Sequence, residues 1–531
     1  MAESPKYRVL LADPLEESGR RMFEDAGADV HQLTDDERER LPEIISDFDA
    51  LVVRSRTKVT AELLRAGKEL KVVGRAGIGV DNVDIAAATE LGILVVNAPT
   101  ANMISATEHT FALLLALARN VAAANASMKS EEWDRKRFLG TELKGKVLGV
   151  VGFGRIGQAV AARARAFDME ILAYDPFLDA ALARRLGAEL LALDELLPRA
   201  DFVTLHTPLN EQTRNLINGE RISRMKPGAR IVNCGRGGVI DEVALLAALE
   251  DGRLAGAALD VFAEEPPTDW RLIQHPRVVA TPHIGAQTQE AQERVATDTV
   301  RMVLGALGGS LAVTAVNLPF GAPGQKGAPF LGLAQQLGRL ASALLPGSLA
   351  SLQVDSWGVE EALHTPITVA AIKGALMPAL GDAVNYVNAE RLAESRGIEV
   401  VHAAHQRPTA YSHLIGVTVR GGDREVRFEG TLFNDQDPRI VGFGAYRLEF
   451  SPRGKLLVMQ NRDVPGVVGR LGTTLGEAGV NIAEIHLARS ASGEAAVAVV
   501  RLDQEVPLPV LESIRAFDEV WDVQLVDLGE R

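Results

Sequence analysis

At 531 residues the chain is too long for a single hydrophobic core, and about three or four domains are expected. With 47% hydrophobic and 24% charged residues it has the composition of a folded globular protein and not of a disordered one, while a net charge of −14 argues against a polyanion such as nucleic acid as partner. The single cysteine, Cys234, excludes an intrachain disulfide; the opening MAESPKYRVLLADP lacks the apolar stretch of a secretory signal, and no uninterrupted apolar run reaches the ~18 residues of a membrane span, so a cytoplasmic protein with no membrane association is expected.

From Tyr7 the chain alternates short apolar runs with helical stretches: RVLLADP, an amphipathic segment around Glu16 to Ala26, ALVVRS at 50–55 and KVVGRA at 71–76. Runs of four to six apolar residues separated by helices predict a parallel α/β sheet. Residues 103–130, opened by Ser105 and Thr107 and dense in Ala and Leu, read as one long helix placed to bridge two domains. A second α/β series starts at KVLGVVGFGRIG (146–157) and continues through EILAYDP, DFVTLHTP, ARIVNCGRG, GAALDVF and RVVATPHIG, which predicts a second doubly wound sheet. The stretch NLPFGAPGQKGAPF (317–330) has the proline- and glycine-rich composition of a linker and predicts that a new domain begins there. Residues 329–450 mix helices with strands in an α+β pattern. There HLIGVTVRGG and REVRFEGTLF are joined across Gly421, Gly422 and Asp423 as a hairpin would be. From Gly454 the order is strand, helix, strand, strand, helix, strand, the βαββαβ pattern of a ferredoxin-like module.

Gly152, Gly154 and Gly157 form G-x-G-x-x-G between the apolar run KVLGVV and the helical stretch RIGQAVAARARAF. A tight turn, a close approach of backbone to pyrophosphate and close helix packing each need a missing side chain, and the helix start offers free N–H groups to phosphate. Asp175 ends the next strand, 18 residues after Gly157. An acid there accepts from both ribose hydroxyls and repels a 2′-phosphate, which favours NAD as the cofactor over NADP. The plainer account is that the glycines only shape a strand-to-helix turn and that Asp175-Pro176 is a turn signal.

Three further side chains fall just beyond later strands of the same sheet, at the ends where open α/β sheets bind ligands: Arg236 in VNCGRGGVID, Glu265 in DVFAEEPP and His283 in VVATPHIG. A guanidinium can clamp a carboxylate or ketone oxygen in a fork; an imidazole can take a hydroxyl proton as hydride leaves carbon; and a carboxylate behind the imidazole fixes its tautomer and stabilises its charge. Spacing alone leaves Glu264 and Glu265 as rivals for that carboxylate. No metal site is expected.

Together GFGRIG, NCGRGGVID, LDVFAEEPP and TPHIGAQT resemble the D-isomer-specific 2-hydroxyacid dehydrogenases. The resemblance implies an NAD-dependent oxidoreductase in which Arg236 orients substrate, and Glu265, the glutamate immediately before Pro266, pairs with His283 as acid and base. It further implies cofactor contacts from Arg155, Ile156, Thr207, Cys234, Asp260 and Gly285. The implied architecture is a discontinuous, flavodoxin-like substrate domain (1–98 and 288–316), a Rossmann nucleotide domain (99–287), an intervening α+β domain (317–452) and an ACT domain (453–531). Within the family the chain resembles the long members, which act on 3-phosphoglycerate in the first step of serine biosynthesis. A substrate with carboxylate and phosphate needs cations beyond Arg236. Arg54 and Arg75 both end apolar strands, and VRS and GRAG-GVDN match the family's substrate segments, with backbone approach through Gly77 and with Ile78 where a polar residue is common. Arg135 and Lys136, in WDRKRFLGTEL, resemble the segment that reaches a neighbouring subunit's active site, which implies self-association, as a homotetramer. In the ACT module Asn461, Asp463 and Asn481 fall at positions implying L-serine as regulatory ligand, although Asn461 replaces the aromatic or histidine residue of some members. Two rival expectations are a dehydrogenase of another D-2-hydroxy acid, such as glycerate or 2-hydroxyglutarate, and a non-enzymatic nucleotide-sensing corepressor.

Overall fold

A computed structural model describes residues 6–310, 314–321, 324–406, 410–490 and 493–529. Within them the chain forms four sheets. The first joins β1 (Tyr7–Leu11), β2 (Ala28–Gln32), β3 (Ala50–Val53), β4 (Val72–Arg75) and β5 (Leu94–Asn97) in the order β2-β1-β3-β4-β5. All its pairs are parallel, the flavodoxin-like arrangement. The apolar runs pointed to β1, β3 and β4 and passed over two strands. β2 (ADVHQ) is an edge strand with no fully buried residue, so its pattern never becomes a continuous apolar run.

The second sheet comprises β6 (Val147–Val151), β7 (Glu170–Tyr174), β8 (Glu189–Leu190), β9 (Phe202–Leu205), β10 (Arg230–Asn233), β11 (Gly256–Leu259) and β12 (Val278–Ala280). Its order, β12-β11-β10-β9-β6-β7-β8, reverses between β6 and β9, and all its pairs are parallel. A crevice opens at such a reversal, outside the carboxyl ends of the strands. Leu148, Val150, Phe202, Val203, Ile231 and Val232 are fully buried, as expected of strands covered on both faces.

Two helices connect these sheets. The single helix expected over 103–130 is instead two, Met103–Ala118 and Val121–Lys129, bent by 66° at the break. Asn120 takes φ +52°, a conformation asparagine tolerates better than most residues, and its amide donates to Leu139 O at 3.1 Å. The helix Gln289–Leu307 returns to the first sheet and packs on β4, β5 and the helix Glu17–Asp25. Gly74 permits this approach, since a Cβ there would lie 2.5 Å from Val303 Cγ2.

The linker expected at 317–330 is also corrected. Asn317 is buried, accepting from Val95 N and donating to Ile93 O, both at 2.9 Å, so the chain is stitched to β5 where it leaves the first sheet. Helix then runs from Gly324 to Ala343 with Pro329 inside it. Glycine and proline near a helix start are compatible with the first turns, and packing of the later apolar positions overrides the local composition.

The third sheet is mixed: β13 (Ser351–Trp357), β14 (Glu399–His405), β15 (Leu414–Gly421), β16 (Arg424–Phe433), β17 (Asp437–Phe443) and β18 (Tyr446–Phe450), in the order β14-β13-β15-β16-β17-β18. The β15–β16 hairpin turns at Gly422 and Asp423, as the sequence predicts. Helices Gly324–Ala343 and His364–Leu380 cross closely where Gly338 and Gly374 meet each other's partner backbones. His364–Leu380 belongs to a stretch long and apolar enough to cross a membrane, yet Ile367 through Ile372 lie buried in this core, Thr368 among them. The last sheet, β19 (Lys455–Arg462), β20 (Ile482–Arg489), β21 (Ala495–Leu502) and β22 (Val520–Asp527), is antiparallel in the order β20-β21-β19-β22. Leu457, Met459, Ala498, Val500 and Val523 pack with the helices Val467–Glu477 and Leu508–Arg515, while Leu456, Val458, Val497 and Val499 join the core of the third sheet.

Candidate active site

The glycine turn leaves β6 at the reversal of strand order. A Cβ on Gly152, whose φ is +90°, would sit 2.7 Å from His206 O, and one on Gly157 would sit 2.2 Å from Gly152 O. Gly154 has open space around it and starts the helix Arg155–Ala166, so the N–H groups of the first turn face an approachable surface, with Arg155 exposed and Ile156 half-buried beside it. Asp175, directly after β7, accepts from Phe153 N at 2.9 Å through Oδ2 and from Phe177 N at 3.0 Å through Oδ1. It thus fastens the glycine turn to the next strand and also forms the Asp-Pro turn of the plainer account. Thr207 follows β9 with its Oγ1 buried and without a protein partner, a hydroxyl that can bond a ligand group. Cys234 follows β10; burial pushes its thiol up to about 12, against a hydrogen bond with Thr110, so it stays neutral. A bare-backbone cradle, a free helix start and an unpartnered hydroxyl along one sheet edge fit a dinucleotide.

Further along that edge His283 and Glu265 meet, Nδ1 to Oε2, at 2.6 Å. Glu265 Oε1 accepts from Phe262 N at 3.0 Å, and the Glu265–Pro266 bond is cis. Glu264 turns to Thr268 Oγ1 at 2.6 Å, so of the two rivals it is Glu265 that faces the imidazole. The hydrogen bond that His283 donates to Glu265 raises the pKa of the imidazole above its ordinary value despite burial and the nearby positive charge of Arg236. Burial pushes Glu265 upward, but the bonds from His283 and Phe262 outweigh it and hold the carboxyl below its ordinary range. The His283 side chain is about half exposed, and no hydrogen bond among the described residues occupies its Nε2. An apolar cavity of about 460 Å³, lined by Pro266, Trp270, Ile273 and Pro282 among others, adjoins the pair.

Asp260, expected to touch cofactor, is buried with both oxygens engaged by protein. Oδ1 accepts from Thr281 Oγ1 (2.6 Å) and Ile284 N (2.8 Å), and Oδ2 from Gly285 N (2.8 Å). Gly285 is likewise held, its carbonyl accepting from Ser105 Oγ at 2.8 Å.

Three guanidinium groups gather near the pair: Arg236 and Arg54 are close enough for their charges to act on Arg75, and Arg236 for its charge to act on His283. Arg236 donates through Nε to Asp81 Oδ2 at 3.0 Å and through Nη1 to Gly235 O at 2.8 Å. The bare backbone of Gly79 makes room for its Nη2. Arg75 folds over Gly77, where a Cβ would collide with its Nη1 at 1.6 Å, and donates to Ala76 O, while its buried Nε has no partner. Burial, and then the charge of Arg236, draw Arg75 down to about 10, with Arg54 adding to the effect. Arg54 donates to Gln292 Oε1 on the returning helix, and its backbone N–H donates to Asp13 Oδ2 at 2.7 Å. Ile78 contributes its carbonyl, to Asn97 Nδ2 at 2.6 Å. Arg135 and Lys136 are not brought to this cluster: both are exposed on the 3-10 turn and its flank at 135–138, and Asp134 accepts from the N–H of Lys136. Sequence reasoning passed over Asp81, Gln292 and Asn102, whose buried Oδ1 stands unpartnered at the start of the crossover helix Met103–Ala118.

Residues 111–285 match the model of the D-isomer specific 2-hydroxyacid dehydrogenase NAD binding domain, 327–443 that of the D-3-phosphoglycerate dehydrogenase intervening domain, and 455–519 that of the ACT domain. A D-3-phosphoglycerate dehydrogenase of Methanocaldococcus jannaschii is 43% identical over 526 residues, covering 98% of this chain and 100% of the relative. The chain belongs to the D-3-phosphoglycerate dehydrogenase family. Another member of this family, from Bacillus subtilis, is 40% identical over 98% of the chain and 100% of its own length. Among solved structures, D-lactate dehydrogenase from Aquifex aeolicus, complexed with NAD and lactic acid, is 30% identical with a TM-score of 0.52, covering 57% of this chain and 96% of its own. The TT0316 protein from Thermus thermophilus is 37% identical with a TM-score of 0.54, covering 58% and 99%.

In the ACT domain of this family member the three expected ligand residues have separate surroundings. Asn461 lies near the end of β19, buried, paired with Ala496, with its amide donating to Arg462 O at 2.7 Å. The strand continues because both neighbouring strands pair with it there. Asp463 forms an ion pair with Arg489 at 3.0 Å, and Asn481 donates to Asp503 Oδ2 at 2.6 Å.

Proposed function

We propose that this chain oxidises 3-phosphoglycerate to 3-phosphohydroxypyruvate with NAD, the first step of serine biosynthesis, and that His283 is the base. The observation that carries this is the 2.6 Å bond from His283 Nδ1 to Glu265, which leaves Nε2 free for a substrate, with Arg236 close enough for its charge to bear on the imidazole. When bound, NAD supplies the two-electron acceptor. Arg236 holds the substrate carboxylate and the oxygen at C2, with Asp81 orienting its fork. The hydroxyl proton passes from that oxygen to His283 Nε2 as the C2–H electron pair departs and the C2–O bond becomes a carbonyl. Glu265 stabilises the imidazolium and keeps the proton of the neutral ring on Nδ1. Arg54 and Arg75 supply charge for the phosphate, and Arg75 remains cationic even at about 10.

The division into a substrate domain (1–98 and 288–316) and a nucleotide domain (99–287) is supported by the return of Gln289–Leu307 to the first sheet. Self-association as a cytoplasmic homotetramer is the reading we attach to Arg135 and Lys136: they lie between Trp133 and Leu139, which are 75% and 88% exposed. L-serine is the regulatory ligand we assign to the ACT domain, with Asp463 and Asn481 as its polar contacts. The test of the activity is NADH formation followed by absorbance with 3-phosphoglycerate, glycerate and 2-hydroxyglutarate. Turnover is expected to favour the phosphorylated acid; equal turnover of all three would mean that Arg54 and Arg75 do not read phosphate.

A further inference from the structure

The turn that carries His283 is held by a buried carboxylate, and that carboxylate is in turn held from the crossover helix. Asp260 is 1% exposed, and its groups take four donors from a five-residue stretch. Thr281 Oγ1 and Ile284 N donate to Oδ1, Gly285 N donates to Oδ2, and His283 N donates to the carbonyl at 2.9 Å. Inside this knot His283 adopts φ +54°, a left-handed conformation that a side chain other than glycine keeps only where its surroundings fix it. His109 and Ser105 stand one turn apart on the helix Met103–Ala118, and both reach the knot. Ser105 Oγ donates to Gly285 O at 2.8 Å, and His109 Nε2 lies 3.2 Å from Asp260 Oδ1 and 3.0 Å from Thr281 Oγ1. Because the Thr281 hydroxyl already donates to Asp260, His109 Nε2 carries a proton shared between two acceptors.

We propose that His109 is a positioning residue for the reaction: it supplies the donor that completes the shell of Asp260 and so keeps the 281–285 turn, and with it the His283 imidazole, in line with Glu265. The inference rests on His283 being the base. Without the donor a buried carboxylate is left short of a partner, the turn gains freedom, and the 2.6 Å bond from His283 to Glu265 loses its alignment. The charges that bear on His283 are Glu265, Asp260 and Arg236, and none of them belongs to the crossover helix, so a change at position 109 reaches the base through Asp260.

The experiment compares His109→Leu, His109→Gln and His283→Ala by kcat, by the acid limb of the pH–kcat/KM profile and by Tm. His109→Leu is expected to lower kcat about 10²-fold, the scale of a misplaced catalytic group, and to shift the acid limb downward as the support of His283 by Glu265 weakens. His109→Gln, whose amide nitrogen can stand where Nε2 stood, is expected to restore both. A His109→Leu enzyme with a lowered Tm but an unmoved limb and kcat overturns the inference, as does a Gln variant no better than Leu. Retained turnover in His283→Ala overturns the proposed base as well; its loss, beside an unmoved limb in His109→Leu, overturns this inference alone.

Discussion

A histidine that takes a proton during alcohol oxidation has to start neutral, and the Glu265 carboxylate works against that state by favouring the imidazolium. The sign of the pH dependence follows. Because the pKa of His283 lies above its ordinary value, kcat/KM for oxidation should rise with pH to a midpoint above about 6.5, and the reverse reduction should fall over the same range. In Glu265→Gln the oxidative limb should move to lower pH while the plateau rate drops; an unmoved limb would mean that another group titrates there. For His283→Ala the expected loss is about 10²–10⁴-fold in turnover with NADH binding, followed by fluorescence, nearly intact. The glycine turn, Arg236, Glu265 and His283 were legible in the chain because each sits in a short motif at the end of a strand. Asp81 and His109 were not, since their partners lie 155 and 151 residues away and only the folded sheets bring them together.

At the scale of elements, the helix Gly324–Ala343 offers two glycines six residues apart with opposite roles. Gly332 has no atom within 4 Å of a Cβ position, so Gly332→Ala should stabilise by ~0.5–1 kcal/mol through helix propensity. At Gly338 a Cβ would lie 2.2 Å from Ala371 O, and Gly338→Ala should destabilise by ~1–3 kcal/mol as the crossing with His364–Leu380 is forced apart. Hydrogen exchange of the two helices measures both, and equal shifts would show that the crossing does not depend on bare backbone. This helix also marks a limit of reading composition. Its first turns carry the glycines and proline of a linker, and what makes them helical is burial of Phe330, Leu331, Leu333 and Leu337 further on. The break at Asn120 was hidden for the opposite reason: the flanking ALLLALA and AAANAS are both strong helix formers, and one left-handed residue divides them.

Over the whole molecule, the alternation of strand and helix in the two doubly wound domains was readable, because such sheets write apolar runs into the sequence. How the carboxy-terminal half is attached was not, because that depends on single polar side chains. If L-serine acts through the ACT domain, calorimetry should detect its binding to the full chain, and Asp463→Ala should abolish that binding while leaving turnover without serine unchanged. Binding that survives the substitution would remove Asp463 from the ligand contacts.

Asn317 fastens the departing chain to β5, and Asn385 donates to Gly92 O at 2.7 Å in the turn just before that strand. The two amides make a seam rather than a tether. A torque applied by the distant half would be delivered to β5, and through its pairing to β4, which ends at Arg75, instead of dissipating in slack chain.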